Sequence, residues 1–451
     1  MYTRYLFIIL ICINFSGVIF SQAYLDKSQI VGIDTTFGAT MFGGGVSYAD
    51  FDQDGYDDIT IATDTGRKIL FYRNLGNGTF TLLPPLVPQQ YFAKQVLWVD
   101  IDNDGDLDFY VSHFGNGSGS PDDGQNRIFE NTGNLVLVDI TATSGLPIQN
   151  DNTSGTVFGD YNKDGYLDMY VSNYSNAHSN KLYRNNGNKT FTDVTTQMGL
   201  SQAPGLNFCS AFLDYDNDGD VDLYTIVDRY DQENKLFRND GSTYTNVSSA
   251  SGTNISIDAM NAGVGDYDND GDLDIYVSNT FGGNVLLRNN GNGTFTDVAV
   301  AAGVSYNQVA WSGVFVDCDN DRDLDLYVCG MLNSHAGRSK LYKNLGNGTF
   351  EEYNTGGLLN DTLTSFSSCI GDYNNDGRMD IIVSNVSNDK VQFWANNVNN
   401  SNHYVKVKLE GTVSNKKGVG SWIEVYDGQG KQVRFTHCGL NYLGQNSYVE
   451  H

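Results

Sequence analysis

The stretch DCDNDRDLDLYV, Asp317–Val328, carries acidic side chains at every second position and then turns abruptly apolar. Five carboxylates within nine residues repel one another strongly unless a cation sits among them. Arg322, however, stands where a tight oxygen-lined turn calls for glycine. The stretch acquires its meaning from its siblings: DFDQDGYDD from Asp50, DIDNDGDLD from Asp100, DYNKDGYLD from Asp160, DYDNDGDVD from Asp214, DYDNDGDLD from Asp266 and DYNNDGRMD from Asp372. Seven copies start 50 to 60 residues apart, so the unit is about fifty residues long.

Each unit keeps one internal order. Small and apolar residues lead into the acidic loop, as in AWSGVFV from Ala310, and a short alternating run such as LDIYVSN from Leu273 follows it. Then come a run such as KLYRN from Lys181, a GNGT-like turn, and a run such as FTDV from Phe191. Runs of four to six residues divided by Gly, Asn and Asp are strands and turns, and Asn-Gly supplies the positive φ that tight hairpins demand. The unit is therefore a four-stranded antiparallel meander. Repeated four-stranded sheets of this length make propeller blades, and the sequence predicts an all-β, seven-bladed β-propeller. A linear solenoid is the alternative, but it leaves two end sheets uncovered. Ring closure requires the first and last blades to share strands, and QIVGIDTT from Gln29 is expected to complete the seventh blade beside KVQFWAN from Lys390.

The flanks set the domain limits. Residues 1–23 read as a secretory signal peptide, with one positive charge, a short apolar core and small residues near Ser21 and Ala23; a membrane anchor is the alternative. Residues 24–400 form the propeller, and 401–451 form a small β module or a capping extension of the ring, whose alternation in YVKVKL and SWIEVYD breaks off around GLNYLGQNSYVEH. The expected location is secreted, extracellular or at the cell surface, periplasmic in a bacterium, with no membrane insertion of the mature chain. A formal charge of -27, from 54 acidic and 27 basic residues, excludes nucleic acid and anionic membrane as partners. Cys12 lies in the signal; the five remaining cysteines do not form a disulfide framework, although Cys318 and Cys329 are a candidate pair and buried free thiols the alternative.

The spacing D-x-[DN]-x-D-G-x-x-D puts oxygen ligands at positions 1, 3, 5 and 9 and lets the carbonyl of position 7 join them. Oxygen ligands on a tight loop suit a hard cation of flexible coordination, which outside the cell means Ca2+, in up to seven structural ions. The side-chain ligands are Asp50, Asp52, Asp54 and Asp58; Asp100, Asp102, Asp104 and Asp108; Asp160, Asn162, Asp164 and Asp168; Asp214, Asp216, Asp218 and Asp222; Asp266, Asp268, Asp270 and Asp274; Asp317, Asp319, Asp321 and Asp325; and Asp372, Asn374, Asp376 and Asp380. The carbonyls are those of Tyr56, Asp106, Tyr166, Asp220, Asp272, Asp323 and Arg378. No consistent base accompanies the loops, so they read as structural rather than catalytic.

The segment GDYDNDGDLDIYVSN followed by LLRNNGNGTFTDV resembles the FG-GAP/VCBS repeats of integrin α-subunit propellers and, more closely, those of the cartilage acidic protein family. VKVKLEGTVSNKKGVGSWIEVY in the tail is similar to the ASPIC/UnbV module that follows such propellers. The resemblance implies a calcium-bearing seven-bladed ring and extracellular adhesion or ligand binding, although related repeats also occur in lectins and beside polysaccharide-degrading enzymes. It departs in two places: loop six lacks its glycine, and the tail stops before the glycine-rich ending of the module.

Metal loops and GNGT turns share one face of the predicted ring, which leaves the second-to-third connections on the opposite face for a ligand. These connections hold His113, His178, Arg229, Tyr230, His335 and Arg338, and Tyr91, Phe92 and Trp311 are candidates for the axial mouth. The expected partner is an extracellular glycan or protein. A lyase or hydrolase acting on polysaccharide, with His113 and Tyr230 as candidate members of its site, and an accessory structural subunit are the competing readings. Sequons at Asn77, Asn188, Asn292 and Asn347 fall in the hairpin turn, whose geometry already explains them.

Overall fold

A computed structural model of the chain describes residues 23–38, 42–88, 92–115, 124–147, 151–331, 337–353, 356–386, 389–426, 428 and 430–451. Residues 1–22 of the expected signal segment, Tyr91 and His335 fall outside these, whereas Ala23 is buried in the ring. Blade five shows the plan: strands Ala262–Gly265, Asp274–Val277, Val285–Asn289 and Phe295–Asp297 pair antiparallel in sequence order. In all seven blades the last pair of the innermost hairpin joins the residue before the acidic loop to the loop's ninth residue, as in Gly265↔Asp274 and Val316↔Asp325. The acidic nonapeptide is thus the closing loop of a hairpin between the first two strands. The third-to-fourth turn lies on the same side, where a Cβ at Gly187 would lie 2.8 Å from the Tyr166 ring. Inner strands approach one another closely: a Cβ at Gly263 would lie 2.5 Å from the Gly313 carbonyl of the next blade.

Blade seven consists of Ser365–Gly371, Asp380–Asn385 and Gln392–Asn396, and its outermost strand is Tyr24–Asp26 from the other end of the chain. Closure therefore occurs as expected but several residues earlier than Gln29. The expected strand is instead a short helix, Ser28–Val31, followed by a single bridge between Thr36 and Lys390. YLDKSQIVGI is the counterpart of FTDVTTQMGL from Phe191. In both, an Asp at the strand end accepts a hydrogen bond from an N–H two residues on, Ser28 to Asp26 at 3.0 Å and Thr195 to Asp193 at 3.0 Å. A helical turn then ends on a left-handed glycine, Gly32 or Gly199.

Residues 401–451 contribute a short antiparallel pair, Val407–Lys408 with Val449–Glu450, and a hairpin, Trp422–Tyr426 with Lys431–Phe435. They are not a body apart from the ring. The chain then runs into the centre of the ring: Cys438 bridges Phe158 of blade three, and Gly444–Gln445 pairs in parallel with Val46–Ser47 of blade one. Tyr442, fully buried, sits 5.1 Å from Trp311 and 5.6 Å from Phe208 between ring centroids. Trp311 and Phe92 accordingly belong to packed aromatic clusters rather than to an open mouth. All five cysteines of the described residues are free and buried, which removes the Cys318–Cys329 pair.

Gln445 fastens the tail. Its Oε1 accepts from the Trp98 N–H at 2.8 Å and from the Ser47 hydroxyl at 2.6 Å, and its Nε2 donates to the Trp98 carbonyl at 2.7 Å. Buried polar groups left without partners cost about 1 to 3 kcal/mol each. Replacing Gln445 by Ala is expected to lower unfolding stability by roughly 2 to 4 kcal/mol, read as a lower urea midpoint at unchanged slope. An unchanged midpoint would remove the tail from the stabilised ring.

Candidate metal centres

The first residue of each acidic loop turns one carboxylate oxygen onto the N–H of the sixth: Gly55 to Asp50 at 3.1 Å, Gly105 to Asp100 at 3.0 Å and Gly271 to Asp266 at 3.0 Å, with the same bond in the other four loops. This needs positive φ at position six, where glycine stands in six loops. Arg322 takes the seventh at φ +89° and keeps the bond, its N–H donating to Asp317 at 3.0 Å. Loop six thus makes the same turn as its siblings and bears the strain of a side chain in the left-handed region.

The ninth residue is placed by two other donors. Asp274 accepts from the Tyr267 N–H at 3.1 Å and the Asn289 N–H at 2.8 Å. Asp58, Asp108, Asp168, Asp222, Asp325 and Asp380 repeat this pair of bonds, and all seven carboxyls are buried. Burial pushes the Asp58 carboxyl up to about 9 and those of Asp108, Asp222 and Asp325 up to about 8. It pushes those of Asp168, Asp274 and Asp380 upward as well. Burial and neighbouring carboxylates likewise raise Asp266 to about 7, and Asp100 and Asp268 to about 6.

Five loops bring three carboxylate oxygens within 4.8 Å of one another: those led by Asp50, Asp100, Asp214, Asp266 and Asp317. The same five each bury one carboxylate oxygen that has no hydrogen-bond donor, on Asp50, Asp100, Asp216, Asp268 and Asp319. Crowded, buried, unpaired oxygens form a donor set that fits a hard divalent ion. In loops three and seven the amide of Asn162 or Asn374 donates to the position-five carboxylate instead, to Asp164 at 2.9 Å and Asp376 at 3.0 Å. These two loops relieve part of their repulsion internally.

The remaining residues named from sequence are distributed as follows. Except for Arg378, the position-seven side chains turn away from the ring of oxygens: Tyr56 and Tyr166 pack on turn glycines, and Asp106, Asp272 and Asp323 accept amides from the preceding blade at 2.7, 2.6 and 2.7 Å. Asp220 pairs with Lys163 at 2.5 Å and Arg378 with Asp376 at 3.1 Å. On the opposite face, His113 is a correction: it lies fully buried in the strand Asp108–His113, because that strand runs on through Ser112 and His113 into the expected connection. His178 pairs with Asp151 at 3.0 Å, Arg229 with Asp228 at 2.9 Å, and Arg338 with Glu352, while Tyr230 is exposed.

Sequence reasoning missed two sets of residues that join the loops into a belt. In six of the seven blades the last Asn of the third strand reaches the preceding blade: Asn289 Nδ2 donates to the Tyr215 carbonyl at 2.8 Å, Asn344 to Tyr267 at 2.7 Å, and Asn74 of blade one to Tyr373 of blade seven at 2.8 Å, whereas Asn131 of blade two donates to Leu107 within its own blade. The fourth loop residue reaches forward from a left-handed backbone, φ +55° to +60°, as in Asn103 to the Gly165 carbonyl at 2.7 Å and Asn375 to Gly55 at 3.0 Å across the ring closure. The signal was present in the chain: that third-strand Asn recurs in FYRN, FEN, LYRN, LFRN, LLRN, LYKN and FWAN.

The 401–451 segment lies over this face. Lys406 meets Asp372 at 2.6 Å, Lys408 approaches Asp50 at 3.7 Å, and Lys417 donates to the Gly105 carbonyl at 3.3 Å. Trp422 Nε1 donates to Asp214 at 2.9 Å and Asn402 to the Asp319 carbonyl at 3.0 Å. Val413 and Lys431 abut Gly165 and Gly271, so the segment touches all seven loops.

The family model of the FG-GAP-like repeat matches residues 34–111, 117–171, 170–225, 214–277, 266–328 and 329–383. A 120-residue stretch is 30% identical to cartilage acidic protein 1 of Xenopus tropicalis, and 122 residues are 28% identical to the Homo sapiens protein of that name. Each match spans 26% of this chain and 18% of the relative. Among solved structures, BBS1N in complex with ARL6DN, soaked with mercury, aligns at a TM-score of 0.51 and 10% identity over 85% of this chain and 99% of that one, a likeness of fold alone.

Two outcomes test the loop geometry. Arg322→Gly removes a strain of about 1 to 2 kcal/mol, so it should raise the stability of the protein and the divalent-ion affinity of loop six; equal values in both titrations would place no strain there. In chelator, the folded protein binds more protons than the unfolded chain wherever carboxyl pKa values are raised. Its stability should therefore fall as pH rises from about 5 to 9, and a saturating divalent ion should flatten the dependence. A stability that rises across that window would mean that the buried carboxylates are not the repelling groups.

Proposed function

We propose, for a chain that belongs to the FG-GAP-like repeat family, that it is a secreted or surface propeller held together by calcium and binding an extracellular glycan or protein through the face opposite its acidic loops. Calcium is supported by the oxygen-only donor sets and their five unpaired carboxylate oxygens. Loops three and seven take the ion more weakly, because Asn replaces one carboxylate and, in loop seven, Lys406 meets Asp372. Seven ions would bring the formal charge from -27 to -13. An ion that binds only the folded ring stabilises it by about 2.7 kcal/mol per site at a hundredfold excess over its Kd.

The placement of the 401–451 segment carries the assignment of the binding face. It covers the loop face at all seven loops, and its end fills the centre of the ring, so both surfaces are already spent on the chain itself. The opposite face keeps the second-to-third connections, with Arg229, Tyr230, His178 and Arg338, open to a partner. The enzyme reading loses one of its two named members, since His113 is buried. Among the described residues no helix is long and apolar enough to cross a membrane.

An array of glycans and extracellular proteins, probed with the full chain with and without calcium, tests the reading. Retention without turnover, abolished by chelation as the ring loosens, is expected. New reducing ends or unsaturated sugar products would overturn it in favour of catalysis.

A further inference from the structure

The reading that the open face binds a ligand leaves the ligand's chemistry to be found, and one pair of side chains narrows it. Tyr230 and Phe281 stand on equivalent connections of blades four and five and are 55% and 61% exposed. Among the described residues, the other exposed aromatic side chains, Tyr404 and Tyr426, belong to the 401–451 segment on the loop face. Single exposed apolar residues are ordinary, but these two stand on neighbouring connections, and the side chain of one is bonded to the backbone of the other. The Tyr230 hydroxyl donates to the Phe281 carbonyl at 3.1 Å and lies 3.2 Å from Thr280 Oγ1, which donates to Asp258 at 3.0 Å. Behind them Asp228 accepts from the Tyr174 hydroxyl at 2.7 Å and pairs with Arg229, and Asp228 and Asp258 form a backbone bridge between the two blades.

Aromatic faces carry negative charge density and attract electropositive C–H groups. A pyranose ring offers such C–H groups on its flat side and hydroxyl donors around its rim. The surroundings are acidic: exposed Asp231 and Glu233 share the connection of Tyr230, and Asp258 accepts from Thr280 beside Phe281, against Arg229, whose guanidinium is committed to Asp228 and to the Tyr174 hydroxyl. A uronate or a sulfated sugar would meet net repulsion at this spot. We propose that Tyr230 and Phe281 form a stacking platform for a neutral pyranose unit of a saccharide ligand. The proposal rests on the open-face reading and names the ligand class for it.

The test uses the full chain in calcium and saturation-transfer NMR with titration. Neutral probes are cello-, manno-, galacto- and chito-oligosaccharides; acidic probes are hyaluronan and alginate oligosaccharides. At least one neutral probe should bind, and Phe281→Ala and Tyr230→Ala should each weaken it by about tenfold, with melting unchanged because both rings are exposed. Tyr230→Phe keeps the ring and should lose about threefold or less. Neutral binding that both alanine variants leave intact would overturn the platform while the open-face reading stands. Preference for the acidic probes would overturn the neutral class, and binding of no saccharide while a protein ligand is retained would overturn the saccharide assignment but not the face. No ligand of any kind on the array would overturn both.

Discussion

A buried carboxylate at the ninth position of every acidic loop is the constraint on which the ring depends. It receives two backbone N–H groups, one from its own loop and one from the third strand, and so locks three of the four strands of a blade to one point. The third-strand residue that donates is an Asn in each blade, and in six of the seven it extends its side-chain amide to the preceding blade. Burial makes the charge on that carboxylate unfavourable, and the neighbouring carboxylates add to the penalty. A cation among them would reverse the sign of the local interaction, so the fold of the blade, the joint between blades and the metal preference share one cause.

Fold class was legible because the acidic nonapeptide recurs in register with short strand-like runs, and a seven-times repeated signal outweighs the irregularity at Arg322. Strand closure was legible in kind but not in position. QIVGIDTT looks like a strand by composition, whereas its place after Asp26 makes it the glycine-ended turn that follows an outer strand. The belt was hidden because Asn at the end of a third strand reads as turn chemistry, and only three dimensions show that its amide crosses to another blade. The burial of His113 depended on two more residues of strand, Ser112 and His113, and strand ends are not marked in sequence to that precision. The path of the tail was not legible at all: its alternation marks strands, but nothing local says that Tyr442 and Gln445 enter the ring.

That path bears on function. The centre of the ring is not an open channel, because Trp311, Phe208, Phe366 and Tyr442 fill it with aromatic contacts. The lysines of the tail then cover the loop face, electrostatically matched to carboxylates that also attract the ions. One face and the axis are thereby occupied by the chain itself, which leaves the connections of the other face, whose sequence is under no metal geometry and whose residues, such as Tyr230, are exposed, as the surface on which the proposed recognition rests.

The central claim is that cations at the acidic loops hold the ring together. Native mass spectrometry of the protein equilibrated with calcium and then stripped by chelator, combined with thermal melting of the same samples, tests it most directly. The account predicts five tightly held ions at the loops with three clustered carboxylates, up to two more at higher calcium, and a clear drop in melting temperature on stripping. A metal-free mass in calcium together with an unchanged melting temperature would contradict it.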